Sequence, residues 1–295
     1  MTTADPDALL ASIVAWAQAT ANVRALIMTG SRARGDGRVD EFSDLDIEII
    51  ADDPEPLMRD DAWWRAFGRV LVHLPTIIRP RHETRLVFYE GGMKVDFSIC
   101  GRERVGVMVE SQALNRLYER GYRVLVDKDG ITGRLPAPTG SFVPNELPAQ
   151  AAFAAVVEEF WFEAAHIPRY ILRDELWVVK FRDWTMKQQL LKMLEWHAMA
   201  RGERPINVWY IGTHMQDWVD EATRDEMRTI FGAFDAQSSW RALLATTALF
   251  RRVAVETAAA LGLQYPARAG EGVSGYIASF RERVEALDEP PAGRG

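Results

Sequence analysis

From Ala25 to Ile50 the chain reads as a buried strand, a Gly-Ser turn, a polar connection and a second strand that carries two aspartates. Leu26, Ile27 and Met28 form a short apolar run that stops at Gly30, as a strand entering a tight turn does. On the second strand Leu45, Ile47 and Ile49 alternate with Asp44, Asp46 and Glu48, so the period of two puts the acids on one face. Asp44 and Asp46 then project side by side. Carboxylates held that close repel each other, and a hard divalent cation with oxygen ligands relieves the repulsion. The Gly30-Ser31 turn offers backbone N–H groups and a hydroxyl to a phosphate. A bare Asp-x-Asp is more often a solvated strand face, but a phosphate cradle beside it points to metal-assisted phosphoryl or nucleotidyl transfer.

A hairpin supplies a third carboxylate. Residues 85–90 and 93–99 flank Gly91-Gly92, a two-residue turn of the kind hairpins favour. On its second strand Val95, Phe97 and Ile99 face the core, whereas Lys94, Asp96 and Ser98 face away. An aspartate in mid-strand runs against propensity. Taken alone, Asp96 is as well explained by simple solvent exposure. Beside Asp44 and Asp46 it becomes a natural third ligand, because two-metal sites need several oxygens.

The remaining chain divides by pattern. Asp5 or Asp7 caps a first helix carrying Leu9, Leu10, Ile13, Val14 and Trp16 at helical spacing. Pro54 and Pro56 break the chain after the second strand, and residues 63–74 mix helical and extended cues. A helix is expected over 104–120 and a strand over 122–126, ended by an Asp127–Gly130 turn. Four prolines between Leu135 and Pro148 mark a domain boundary. Beyond it the pattern is helical: 149–176, where Pro168 must kink or divide the helix, then 177–200, 216–232, 238–261 and 274–287. The expected fold is α+β: a mixed-sheet domain with flanking helices over 1–135, a Pro-rich linker over 136–148, a helical bundle over 149–288 and a disordered tail over 289–295.

Composition narrows the partners. A net charge of −7 over 295 residues, with no basic stripe, argues against a nucleic-acid partner and suits a cationic one. The one cysteine, Cys100, excludes intrachain disulfides and reads as a buried, inert thiol in a reducing cytosol. No signal-peptide pattern opens the sequence and no apolar run is long enough to span a bilayer, so a cytoplasmic protein without a membrane partner is expected. The five histidines fall in no zinc-ligand spacing. The oligomeric state stays open between monomer and homodimer.

The Gly30-Ser31 turn, followed after a polar loop by Ser43-Asp-Leu-Asp-Ile47, resembles the signature of the polymerase β-like nucleotidyltransferases. Further blocks resemble one family within them, the aminoglycoside 6-adenylyltransferases, also called streptomycin adenylyltransferases. These are Gly92-Met-Lys-Val-Asp96, Val126-Asp-Lys-Asp129, Glu159-Phe-Trp-Phe162, Leu191-Lys-Met-Leu-Glu-Trp-His197, and Leu249-Phe-Arg-Arg252 with Tyr265-Pro266. They span nearly the whole chain. The chain departs from the family in having Leu45 between the metal aspartates, where tyrosine is usual, and in lacking a lysine-rich segment over 207–217.

The resemblance implies a nucleotidyltransferase-type N-terminal domain and transfer of AMP from ATP to a streptomycin hydroxyl, the 6-position by family, with release of pyrophosphate and antibiotic resistance as the outcome. It implies Mg²⁺ on Asp44, Asp46 and Asp96, with Asp96 either a ligand alone or also the general base. Gly30 and Ser31 would hold the β- and γ-phosphates, with Arg32 as a charge partner. In the helical domain Glu159 would act as general base or bind a cationic group of the drug, and Lys180 or Lys192 would reach the ATP phosphates. Trp161, Trp177 and Trp196 are candidates for the cleft lining, with core packing the commoner role for each. A nucleotidyltransferase of the same fold with another small-molecule or protein acceptor is the alternative.

Overall fold

Asp5 accepts a hydrogen bond from the Asp7 backbone N–H and Pro6 presets the first helical φ, so helix α1 (Pro6–Ala19) starts at Asp5. The computed structural model describes residues 5–79, 82–142, 145–202 and 206–288. Residues 143 and 144 of the expected linker and the expected tail 289–295 lie outside these. The chain divides into two compact units, Met1–Val143 and Pro144–Gly295.

In the first unit α1 is followed by β1 (Val23–Thr29), the short α2 (Ser31–Arg34) and β2 (Leu45–Ala51). Two short helices, α3 (Glu55–Arg59) and α4 (Ala62–Arg65), lead into β3 (Val70–Arg79), β4 (His82–Tyr89) and β5 (Lys94–Gly101). Helices α5 (Glu103–Ser111) and α6 (Arg116–Glu119) precede β6 (Arg123–Asp127). The helix expected over 104–120 is therefore two helices, parted at Gln112, which adopts φ 50°. Asn115 then caps α6 through its side-chain oxygen.

The strands form one mixed sheet in the order β3-β4-β5-β2-β1-β6. Strands β2 and β5 run parallel, and the other neighbours are antiparallel. Gly91 and Gly92, at φ 93° and 88°, lie in the β4–β5 turn, which also takes in Glu90 and so is longer than the two-residue turn expected. Both sheet faces are buried. Leu26, Met28, Leu45, Ile47, Val95 and Phe97 pack with α1 and with Trp63 and Trp64. On the opposite face Ala25, Ile27, Ile50 and Cys100 pack with Val105 and Met108 of α5 and Tyr118 of α6. Each such side chain contributes about 1.5–3 kcal/mol when fully buried. Cys100 is buried, as expected.

The second unit is helical: α7 (Gln150–Leu172), α8 (Leu176–Arg201), α9 (Glu221–Met227), α10 (Ala236–Leu261), α11 (Ala267–Ala278) and α12 (Arg281–Glu285). Helix α7 runs through Pro168 without dividing. The proline leaves the Ala164 carbonyl without its helical donor. A buried stripe of Phe160, Trp161, Ala164, Ile167, Pro168 and Ile171 carries the helix past that point. The expected helix over 216–232 shrinks to α9 and a 3₁₀ turn at Met215–Asp217, and the expected helix over 274–287 is α11 plus α12, starting at Ala267. Among the described residues no helix is long and apolar enough to cross a membrane.

Candidate active site

The parallel pairing of β2 with β5 sets Asp46 directly opposite Asp96 in the register. Neighbouring strands lie about 4.8 Å apart, and residues in register point to the same side, so the two carboxylates meet. Asp44, one residue before β2, completes the cluster: one oxygen from each of the three acids lies within 4.8 Å of the others. Asp46 shares its face with Glu48 and Ile50, and Asp96 shares it with Ser98 and Cys100. At the Ile50 and Cys100 end α5 and α6 cover that face. At the Asp46 and Asp96 end the carboxylates stay half-buried.

Glu48, which the strand alternation grouped with the two aspartates, is separated from them in role. It is buried and accepts from Arg104 Nε and Nη2 at 3.0 and 2.6 Å and from the Tyr118 hydroxyl at 2.7 Å. This pair ties α5 and α6 to the sheet.

Gly30 fits against Asp46. Strand β1 pairs with β2 through Thr29 and Asp46, and the turn after Thr29 puts Gly30 at φ 70° and ψ −159°. A Cβ at Gly30 would fall 1.7 Å from Asp46 Oδ2. Only a glycine lets the backbone approach the carboxylate this closely. Ser31 and Arg32 follow in α2. The Arg32 guanidinium donates to the Ser43 carbonyl from Nε and Nη2, at 3.1 and 2.9 Å. Arg32 thus clasps the loop that delivers Asp44, a role the expected phosphate pairing did not include.

Lys94 is the site residue that sequence reasoning missed. Its Nζ lies 2.8 Å from Asp44 Oδ2 and 2.7 Å from the Asp96 carboxylate, bridging the two. The alternation of β5 put Lys94 and Asp96 on one face, which was the available signal. The approach to Asp44 depends on the β2–β5 pairing.

Burial, reinforced by the charges of Asp44 and Asp96, pushes the Asp46 carboxyl up to about 7, with Lys94 and Arg34 pulling the other way. Burial also raises Asp96 above the usual carboxylate range despite its hydrogen bond to Lys94. Burial disfavours the Lys94 ammonium, but its bonds to Asp44 and Asp96 outweigh that and hold its pKa above the ordinary lysine value. Asp96 Oδ1 is shielded from solvent and has the Lys94 ammonium 2.7 Å away, outside good hydrogen-bond alignment. An all-oxygen donor set, crowded enough to hold back its own ionisation, fits a hard divalent cation.

The other expected site residues lie in the second unit. Glu159 is exposed on α7. Lys180 donates to the Gly232 carbonyl at 2.8 Å, tying α8 to the segment before α10. Lys192 is exposed, with Nζ 5.2 Å from the centre of the Trp196 ring. Twelve residues of helix separate the two lysines, about 18 Å of rise, so they form no joint clamp. Trp161 and Trp196 are core residues, whereas Trp177 is 79% exposed.

A family model described as Streptomycin adenylyltransferase matches residues 5–280. The chain belongs to that family. It is similar to the aminoglycoside 6-adenylyltransferase of Campylobacter jejuni, 22% identical over 284 residues, covering 94% of this chain and 96% of the relative. The enzyme of the same description from Bacillus subtilis strain 168 is 22% identical over 263 residues, covering 86% and 90%. A crystal structure of an aminoglycoside 6-adenyltransferase from Bacillus subtilis superposes with a TM-score of 0.45 at 17% identity, over 93% of this chain and 97% of that one. Membership supports a nucleotidyltransferase enzyme.

Several of the blocks that carry the resemblance turn out to build the structure. Phe160 stacks on Phe250 with ring centres 3.6 Å apart and planes 4° from parallel. Trp161 Nε1 donates to the Tyr265 hydroxyl at 2.9 Å. His197 meets Glu256 at 2.7 Å, and Arg252 binds Glu226 at 2.7 Å and Glu256 at 3.3 Å. In the first unit Asp127 closes its turn by accepting from Ile131, Thr132 and the Thr132 hydroxyl, and Asp129 binds Arg24 and Arg102.

Proposed function

We propose that this chain is an aminoglycoside nucleotidyltransferase that moves AMP from ATP to a hydroxyl of streptomycin, the 6-position by family, and releases pyrophosphate. The observation that carries the reading is the convergence of Asp44, Asp46 and Asp96, from paired parallel strands, in a chain that matches the family over residues 5–280. The names of the relatives support the acceptor class. The net charge of −7 agrees with a polycationic acceptor.

Asp44, Asp46 and Asp96 would hold Mg²⁺, which when bound supplies charge to offset the triphosphate and to lower the pKa of an attacking hydroxyl. The chain's own groups do the rest. The backbone at Gly30 and the Ser31 hydroxyl would bind phosphate oxygens, with Arg32 keeping the Asp44 loop in place. Asp96 would orient the acceptor hydroxyl and take its proton, or serve as ligand only. Glu159 would take that proton or bind a cationic group of the drug, and Lys180 or Lys192 would balance phosphate charge. Adding a nucleotide brings bulk and negative charge to a drug that works through its cations, which is how resistance would follow. The site would act in the cytoplasm.

Pyrophosphate release with ATP, Mg²⁺ and a panel of aminoglycosides tests the reading. Release with streptomycin that EDTA abolishes is the expected result. Release with a different acceptor only would move the chain to another substrate, and silence across the panel with ATP bound would overturn the acceptor class.

A further inference from the structure

Lys94 stands in a place that a nucleotidyl-transfer site would not obviously give to a cation. It is the first residue of β5, just past the Gly91-Gly92 turn, and its ammonium spans Asp44 Oδ2 at 2.8 Å and the Asp96 carboxylate at 2.7 Å. These are two of the three acids that would ligate a divalent ion. An ammonium hydrogen-bonded to each carboxylate takes up one of its lone-pair sites, and a unit charge within a few ångströms of a dication repels it strongly. Lysine is a compact charge on a flexible four-carbon stem, so it can leave one anion for another without backbone movement. The Lys94 side chain is 27% exposed, which gives it a path outward. The third acid, Asp46, makes no such bond to Lys94, and its neighbours Asp44 and Asp96 repel its charge.

We propose that Lys94 is a positioning residue that competes with the divalent cation for Asp44 and Asp96, so that metal loading and release of the Lys94 ammonium are a single event. Before loading, the lysine offsets the charge of the two carboxylates it bridges. After loading, the freed ammonium is a point charge at the edge of the site, suited to a phosphate oxygen of the nucleotide. The proposal rests on the reading of the aspartate cluster as a cation site.

The test uses Mn²⁺ alone, with no nucleotide or aminoglycoside, and measures its affinity for the purified full chain by titration calorimetry and electron paramagnetic resonance. Lys94→Met should bind Mn²⁺ about tenfold tighter or more, given the size of the charge repulsion removed. Lys94→Arg keeps the charge and should tighten Mn²⁺ binding far less than Lys94→Met. Loss of structure would weaken binding, so the tightening has the opposite sign to damage. In the unmodified protein, Mn²⁺ should raise acetylation of Lys94 by acetic anhydride several-fold, read by mass spectrometry, which needs no variant to fold. Parent binding with an unchanged or weaker Lys94→Met affinity, or Lys94 acetylation indifferent to Mn²⁺, would overturn the proposal and leave the cation site standing. Absence of binding in both parent and Lys94→Met would remove the cation site as well.

Discussion

Asp46 bears an electrostatic cost in the folded chain, because its carboxyl is raised from the ordinary 3.8 to about 7. Below about pH 4 both folded and unfolded forms are protonated and the site costs nothing. As pH rises toward 7 the unfolded chain gives up this proton first, so folding stability falls, and above 7 the loss is complete. Asp46→Asn removes that penalty. In EDTA the variant should be more stable than the parent at pH 8, by up to about 4 kcal/mol, and match it below pH 4, while with Mg²⁺ present nucleotidyl transfer is lost. Equal melting at pH 8 would contradict the electrostatics of the cluster. At this scale the aspartates were legible, because alternation alone puts Asp44 and Asp46 on one face and marks Asp96 as out of place in a strand. Lys94 was not, because no local pattern says that β5 lies parallel to β2 with Asp46 opposite Asp96.

At the scale of elements the turn between β1 and α2 matters most. Gly30→Ala would force a side chain into a backbone conformation that costs roughly 1–3 kcal/mol and would push the Asp46 carboxylate from its place. The variant should melt several degrees lower in circular dichroism and lose affinity in the Mn²⁺ titration proposed for Lys94. Metal affinity equal to the parent's would show that Asp46 does not depend on that turn. The hairpin and its Gly-Gly turn could be read directly, since two flanking strands and a turn are a local pattern. Strand β3 could not: it is an edge strand with Leu71, Val72 and Leu74 all more than half exposed and Pro75 within it, so no alternation survives to be seen. At Pro168 the sequence left a kink and a division open, and the helix does not divide. Propensity predicts a break, and the buried stripe of α7 overrides it.

For the molecule as a whole, the chain combines a catalytic-type sheet unit with a helical unit whose recognisable blocks are chiefly its own framework. The Phe160–Phe250 stack, the Trp161–Tyr265 hydrogen bond and the His197–Glu256–Arg252 network hold α7, α8, α10 and the segment before α11 together. The sequence leaves Trp161 and Trp196 between cleft lining and core packing, with packing the commoner role, and both are core residues. Side chains that pack a helical core look, in sequence, like side chains that line a cleft. The proposed chemistry draws instead on the shorter and more general Gly-Ser and Asp-x-Asp pattern together with Asp96.

The most direct measurement follows the label of ATP carrying ³²P in its α-phosphate, with Mg²⁺ and streptomycin, in the parent and in Asp46→Asn. The expected result is label on the drug with the parent, none with the variant, and none with either in EDTA. Label transfer undiminished in Asp46→Asn, or label that stays with the nucleotide while a γ-phosphate moves to the drug, would contradict the assignment of the aspartate cluster to nucleotidyl transfer.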